Sequence, residues 1–249
     1  MNGNYRKWGA VVLWLLIWHL GALAAANSLL LPRVDEVFRA LLFILGDGQN
    51  RVRIANTVFH IFCGFGLAFI LGIGFGFLSY FHVWLKDVLN IPVSFLKSVP
   101  IVSLVILLLL YFGSEILPLF IVLSMVFPQI YTATLDGLLK TDKNRLEMAR
   151  IYGMKRKDVL WHIYFHDLLN YLRINTKISI GFAWKAGVAA EVIALSKMSM
   201  GEALYFSKIY LNTADLFAWT VLILCLSKGF EKVSMCLLGG FRHGNTTSL

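Results

Sequence analysis

Long apolar runs divided by short polar stretches set the pattern of this chain, and the length of each run limits what it can build. Residues 8–26 follow Arg6 and Lys7, hold an apolar core of about 19 residues and end in Ala24-Ala25-Ala26. That ending resembles a leader-peptide cleavage site, yet the core exceeds the 7–15 residues of a secretory signal and is long enough to cross a bilayer. An uncleaved first spanning helix is therefore expected. The polar connection 27–53 holds Pro32 and then Val34, Val37, Phe38, Leu41 and Leu42 at helical spacing. These predict a short amphipathic helix lying along the membrane surface.

Residues 54–81 form the second run, with Gly64, Ala68, Gly72 and Gly76 repeating every four residues on one helical face. Such a stripe lets a neighbouring helix approach closely, or lines a path. A polar stretch with His82, Lys86, Asp87 and Lys97 follows, and residues 99–112 are apolar behind Pro100. Fourteen residues are too few for a span, so the third helix is expected to begin near Pro92 and to bend or break at Pro100. Gly113-Ser114-Glu115 predicts a turn, after which 116–135 crosses again with Pro118 in its first turn and a kink at Pro128. A fifth span covers 168–195, a mixed connection 196–215 and a sixth span 216–238. The expectation is an all-α integral membrane protein with six transmembrane helices in a single domain over 1–249. Its parts are the first span and external amphipathic segment (1–53), a core (54–238) and a cytoplasmic tail (239–249).

Composition agrees with that class. The chain is 58% hydrophobic and 15% charged, with a mean hydropathy of +0.72, whereas charged residues make up about 25% of soluble domains. The excess of 23 Lys+Arg over 14 Asp+Glu does not sit among exposed aromatics on a soluble module, so no nucleic-acid partner is expected. It reads as topological charge. Lys140, Lys143, Arg145, Arg150, Lys155, Arg156 and Lys157 crowd the fourth loop against Asp142, Glu147 and Asp158, which places that loop in the cytoplasm. With six spans both termini follow it, in agreement with Arg6, Lys7, Lys232 and Arg242. Arg33, Arg39, Arg51 and Arg53 make the first external connection more basic than the rule prefers. Cys63, Cys225 and Cys236 lie in apolar runs without the spacing of a metal site or disulfide framework.

The charged stretch 147–166 is the one sizeable surface that a soluble partner could grip. It reads as two short helices meeting at Gly153, the first capped by Asn144, the second presenting Val159, Leu160, Ile163 and Tyr164 along one side. On periodicity alone it fits equally a basic amphipathic helix resting on lipid headgroups.

The spacing Glu147-x-Ala149-x-x-x-Gly153, nine residues, then Ile163-x-Phe165 resembles the cytoplasmic "EAA" loop of bacterial ABC-importer permeases, E-A-A-x-x-x-G-x9-I-x-L-P. Met148, Phe165 and His166 replace that pattern's second alanine, leucine and proline. Phe182-Ala183-Trp184 through Ala190-Glu191 resembles the G-x-A-W…A-E stretch of the permeases serving sulfonate, taurine, nitrate and thiamine-precursor importers. Pro100 and Phe112-Gly113 fall where that family has its I-P…F-G segment. The resemblance spans about residues 31–238. It implies a type I importer permease in the bacterial cytoplasmic (inner) membrane, working as a pair of six-helix subunits, expected here as a homodimer. Two ATP-binding subunits would carry the ATP and Mg, and an extracytoplasmic solute-binding protein would deliver the solute. Glu147, Ala149, Arg150, Gly153 and Ile163 would then form the coupling helix between spans four and five.

This chain lacks a G-x-x-x-x-G-K-[ST] phosphate loop, so no ATP hydrolysis and no cofactor of its own are expected. In the fifth span Lys177, Trp184 and Glu191 stand seven apart with Gly181 and Val188 between them, which gathers polar and aromatic groups on one side. A lysine near a span's centre costs about 2.5–3.5 kcal/mol on insertion scales, so Lys185 is expected to face a polar cavity or a partner. It reads either as a positive charge beside the path, favouring an anionic or zwitterionic solute, or as half of a structural pair. Glu191, expected near the outer end of the span, is either the gate residue that the resemblance implies or an interfacial charge. Pro100 and Ser103 complete the candidate path. His162 and His166 are four apart beside Asp167 but do not make H-E-x-x-H and have no third ligand in the pattern, so no metal is expected. Ser103 and Ser124 lack a readable His or Asp partner, which disfavours an intramembrane hydrolase. A channel or secondary transporter would spread ionisable groups over several spans, whereas here they gather in the fifth.

Overall fold

The computed structural model describes residues 3–25 and 29–243. Residues 26–28, where the expected first span meets the polar connection, and 244–249 of the expected tail lie outside the described residues. The elements are helical throughout: α1 (Gly3–Ala25), α2 (Val34–Gly46), α3 (Gly48–Phe81), α4 (Val83–Ser98), α5 (Ile101–Leu139), α6 (Lys143–Ile151), α7 (Arg156–Val159), a π turn (Leu160–Tyr164), α8 (Phe165–Ala194), α9 (Met200–Ile209) and α10 (Thr213–His243). Two of them, α3 and α5, are long and apolar enough to cross a membrane by length and composition. The ionisable residues of α8 and α10, such as Lys177, Lys185, Lys228 and Glu231, lower their hydropathy.

Small residues set the architecture. Gly64 lies on Val122 and the Leu119 carbonyl, Gly72 on Ile130, and Gly76 on Thr134, so close that an added Cβ would come within 2.7–2.9 Å of these neighbours. The pairing advances in step along both helices, so α3 and the second half of α5 run parallel in direct backbone contact. Of the two readings open for the stripe, helix contact is the one these distances satisfy. α8 packs on α5 in the opposite direction and meets α3 as well: Gly187 meets Ile61 of α3 and Val122, Ser179 donates to Gln129 Oε1 at 2.9 Å, and Gly137 meets Leu168.

α5 is two helices joined at Gly113, whose φ of 67° and ψ of 170° leave the helical region. Only glycine adopts such a backbone readily. The chain reverses there: Lys97 Nζ donates to Thr132 Oγ1 at 2.7 Å, and the rings of Phe112 and Phe120 lie 4.0 Å apart. The expected turn at 113–115 is thus confined to one residue. Arm 101–112 is about 18 Å long, short of a bilayer core of about 30 Å. The interruption at Val99 and Pro100 separates it from α4, which continues the same pass through Pro92.

α10 descends antiparallel to α8, with the Arg173 Nε donating to the Leu238 carbonyl at 3.2 Å. α3 begins earlier than its apolar run, at Gly48, because the Asp47 side chain caps it by accepting from the Asn50 amide at 3.0 Å. α1 is exposed along most of its apolar length and touches the body through α2 and the Trp18–Phe217 ring pair, 5.5 Å between centroids. Cys63 is half-buried, whereas Cys225 and Cys236 are exposed on the apolar surface of α10.

Candidate functional site

The α6–α7 hairpin hangs from one end of this bundle. Asp142, not Asn144, caps α6: its Oδ1 accepts from the Asn144 amide at 2.9 Å, which places Asn144 inside the first turn. The helix ends in a Schellman motif, with the Met154 amide on the Ala149 carbonyl (2.9 Å) and the Gly153 amide on the Arg150 carbonyl (3.2 Å). Closing both bonds requires a left-handed residue, and Gly153 has φ +63°. Ala149 is buried, and with Met154, Val159, Leu160 and Tyr164 it lines a small pocket beside α6. Arg145 donates to both oxygens of Asp167 at 2.9 Å and ties the hairpin to the foot of α8. Ile163 is buried, Tyr164 meets the Tyr80 hydroxyl at 3.1 Å, and Trp161 stacks on Phe165 at 4.6 Å. The π turn, closed by the Phe165 amide on the Leu160 carbonyl, carries the chain into α8.

Outward, the same hairpin exposes Glu147 and Arg150 together with the apolar Met148 (55%), Ile151 (81%) and Tyr152 (78%). His162 is exposed, its Nδ1 3.0 Å from the Asp158 carbonyl, and His166 is exposed as well.

The candidate path residues fall in three places. Lys177, Trp184 and Lys185 line a groove of about 790 Å³ between α8 and α10, with Gly181 and Val188 in its floor. α10 contributes Lys228 and Glu231, which the sequence reading passed over because they sit in a run treated as a plain span. Glu231 lies 3.4 Å from Lys177 and 2.7 Å from Lys228.

Glu191 lies elsewhere, fully buried at the end of the bundle opposite the hairpin. Its Oε2 accepts from Thr57 Oγ1 at 2.9 Å and from the Gly201 amide at 3.1 Å, while Thr57 Oγ1 accepts from the Met200 amide at 2.9 Å. The carboxylate therefore sits at the N-terminus of α9, where the free amides and helix dipole favour a negative charge, and His60 Nδ1 stands 3.6 Å from Oε1. Neither Thr57, His60 nor Gly201 was singled out in the sequence; each acts only through long-range contact. The third place is the pass ending at Gly113. Pro100 and Ser103 are exposed there, and their helix packs through Leu104 and Val105 on the Ala186 and Ala190 side of α8, away from the groove.

Residues 56–228 match the family described as binding-protein-dependent transport system inner membrane component. A putative aliphatic sulfonates transport permease protein of Escherichia coli is 26% identical over 232 residues, covering 92% of this chain and 86% of the relative. A probable ABC transporter permease protein of Brucella melitensis is 24% identical over 207 residues, 83% of each chain, and the taurine transport system permease protein of Escherichia coli is 24% identical over 192 residues, 75% of this chain and 70% of the relative. With the family pattern covering more than half its length, the chain belongs to the inner membrane components of binding-protein-dependent transport systems, the permeases of ABC transporters.

Proposed function

We propose that this chain is the permease subunit of an ATP-driven importer, forming with a second copy of itself an alternating-access path for a small anionic or zwitterionic solute. The solute arrives on an extracytoplasmic binding protein. Two ATP-binding subunits, carrying ATP and Mg, dock on the α6–α7 hairpin, which acts as the coupling helix. The six spans are assigned to α1, α3, α4 together with residues 101–112, residues 114–139, α8 and α10. Both termini then lie on the hairpin side, in the cytoplasm.

The observation that carries the reading is the hairpin itself. α6 is braced internally by Gly153 and Ala149 and fixed to α8 by the Arg145–Asp167 pair, yet it presents Met148, Ile151 and Tyr152 outward. A rigid element with an unpartnered apolar face, joined directly to α5 and α8, passes a partner's closure to the helices as rigid-body rocking. Lys177, Lys185 and Trp184 supply a cationic wall for the path, whereas Pro100 and Ser103 lie on the pass packed against the opposite side of α8 and do not line that groove. Glu191 serves the gate by holding α9 on α3 and α8 at the outer end. The anionic preference agrees with the aliphatic sulfonates and taurine for which the relatives are named.

Gly153 provides the test, because nothing lies within 4 Å of the position where a Cβ would be added. A substitution there strains only the backbone, by about 1–2 kcal/mol for a residue that resists the left-handed region. Gly153→Val is expected to lose co-purification with the ATP-binding subunits, while Gly153→Asn, which tolerates that conformation, keeps it. Full complex formation and transport by Gly153→Val would refute the hairpin assignment.

A further inference from the structure

One oxygen of Glu191 is left open at the junction of α3, α8 and α9. Oε2 accepts from Thr57 Oγ1 and the Gly201 amide, but Oε1 is buried without a donor, and His60 Nδ1, 3.6 Å away, is buried without a partner as well. At that separation the two atoms do not form a hydrogen bond, and buried polar atoms are rarely left in this state. The imidazole decides whether they meet. With its proton on Nε2 alone, the Nδ1 lone pair confronts the carboxylate; with protons on both nitrogens, Nδ1–H is a charge-assisted donor whose ordinary distance is about 2.7–2.9 Å. The His60 side chain is one-fifth exposed and that of Glu191 not at all, so His60 is the member that exchanges protons with its surroundings.

What hangs on this carboxylate is α9. Thr57 and Glu191 hold its first two amides, those of Met200 and Gly201, while the backbone on either side is strained. Leu195 (φ 50°) and Met198 (φ 52°) before the helix and Leu211 (φ 55°) after it are left-handed without being glycine. Such residues keep that conformation only where the surrounding contacts impose it. α9 is therefore seated against connections that relax once the contacts at Glu191 loosen.

We infer that His60 is the positioning residue of the outer gate, a proton-operated clamp that acts through Glu191. A proton taken up from the outer aqueous side closes the gap to Oε1 and fastens α9; its return to water reopens the gap and frees the strained connections. The clamp is thus present at low pH and lost as the pH rises through the titration of the histidine. This rests on the reading of Glu191 as serving the gate, and adds the residue that sets it and the condition to which it responds. The other ionisable groups near this end are engaged elsewhere or stand alone. Arg53 of α3 pairs with Glu202 of α9, Asp215 of α10 accepts from Asn212, Asp35 of α2 lies with Arg33, and Lys185 of α8 opens into the α8–α10 groove. Glu115 of α5, Lys197 and Lys208 form no ion pair among the described residues, so none of these groups answers His60 or Glu191.

Amide hydrogen exchange of the full chain in phosphatidylcholine nanodiscs reads the seating of α9 directly. Labelling times are scaled for the intrinsic pH dependence of exchange, and α6, at the other end of the bundle, serves as the reference in the same samples. Protection of residues 200–209 relative to α6 is expected to rise about threefold or more from about pH 8 to about pH 5.5, the interval in which histidine changes charge. His60→Gln and His60→Asn, which keep a side-chain amide but do not titrate, should both abolish the rise, and so should Glu191→Gln, which removes the anion. A merely structural histidine would shift protection alike at every pH. The inference is overturned if protection of α9 in the unaltered chain is flat across this range, or if the rise survives in both His60 variants. Transport by the reconstituted complex separates the clamp from the gate reading: a pH-dependent α9 together with transport indifferent to His60→Gln upholds the clamp and refutes Glu191 as a gate residue.

Discussion

Glu191 illustrates how far a single residue's role depends on contacts that its own neighbourhood in sequence does not reveal. The spacing from Trp184 places it on the same helical face as Lys177, yet the structure separates them: Lys177 opens to the groove, and Glu191 turns into the junction of α3, α8 and α9. What makes the carboxylate fit is Gly201. A Cβ there would stand 2.3 Å from Glu191 Cβ and 2.7 Å from the Val192 amide nitrogen, and backbone so close cannot yield as a flexible side chain would. Gly201→Ala should therefore lower the thermal midpoint of the purified protein markedly, at the upper end of the roughly 1–3 kcal/mol that overpacking costs. Gly229→Ala, with nothing within 4 Å, should leave it unchanged or raise it. Similar midpoints for the two variants would mean that α9 is not seated on Glu191. Gly153 is the opposite kind of glycine, needed for its left-handed backbone and not for space. That one was legible from the sequence, because a helix stop is a local signal, whereas Gly201 was not, because its constraint comes from an element packed against it.

The helices carry the same lesson one level up. The four-residue repeat of Gly64, Ala68, Gly72 and Gly76 predicted a close-packing face, and α3 uses that face against α5. The other glycines of α3 discriminate the explanation, since Gly66 and Gly74 have nothing within 4 Å. Alanine at Gly64, Gly72 or Gly76 should push the helices apart and destabilise the fold by about 1–3 kcal/mol each. Alanine at Gly66 or Gly74 should be neutral or stabilising by up to about 1 kcal/mol, because a helical glycine carries excess conformational entropy in the unfolded chain. Chemical denaturation in detergent reads the difference directly; equal effects at both sets would leave the stripe without its packing role. Helix ends proved harder to place than helix faces. The start of α3 at Gly48 depends on a single side-chain cap at Asp47, and the start of α6 on Asp142 in place of Asn144. In both stretches more than one polar residue can cap, and the sequence does not rank them. The break at Gly113 was read correctly as a turn, but that one residue suffices to reverse the chain follows only from Lys97 reaching Thr132.

For the molecule as a whole, the contacts fix which features share an end. α3 runs parallel to residues 114–139 and antiparallel to α8, and α8 runs antiparallel to α10. The hairpin, the Tyr80–Tyr164 contact and the final turns of α10 therefore gather at one end, while Gly113, α9 and the α2–α3 junction gather at the other. The charges are arranged to match. The arginines that made the first connection look too basic for an external segment are mostly answered locally: Arg33 lies 3.1 Å and Arg39 3.7 Å from Asp35, and Arg53 pairs with Glu202 of α9. At the hairpin, Arg145 is paired with Asp167, but no ion pair is formed by Arg150, Lys155 or Lys157 among the described residues. At the opposite end Arg51, Lys197 and Lys208 form no ion pair among the described residues either, so the proposed orientation rests on the number of lysines and arginines crowded into the hairpin loop, the kind of excess that the positive-inside rule assigns to the cytoplasm. A cysteine-free variant with Asn144→Cys at the hairpin should then react with a membrane-impermeant maleimide in inverted vesicles and not in intact cells. The same background with Lys208→Cys, exposed on α9, should show the reverse. Both positions lie in polar, accessible segments at opposite ends of α8, a helix of 30 residues and so about 45 Å long, enough to carry its two ends to opposite faces of a bilayer. Labelling of both cysteines from the same side would contradict the crossing of α8 itself, and labelling of each from the side opposite to that expected would keep the fold but invert the reading of its charge.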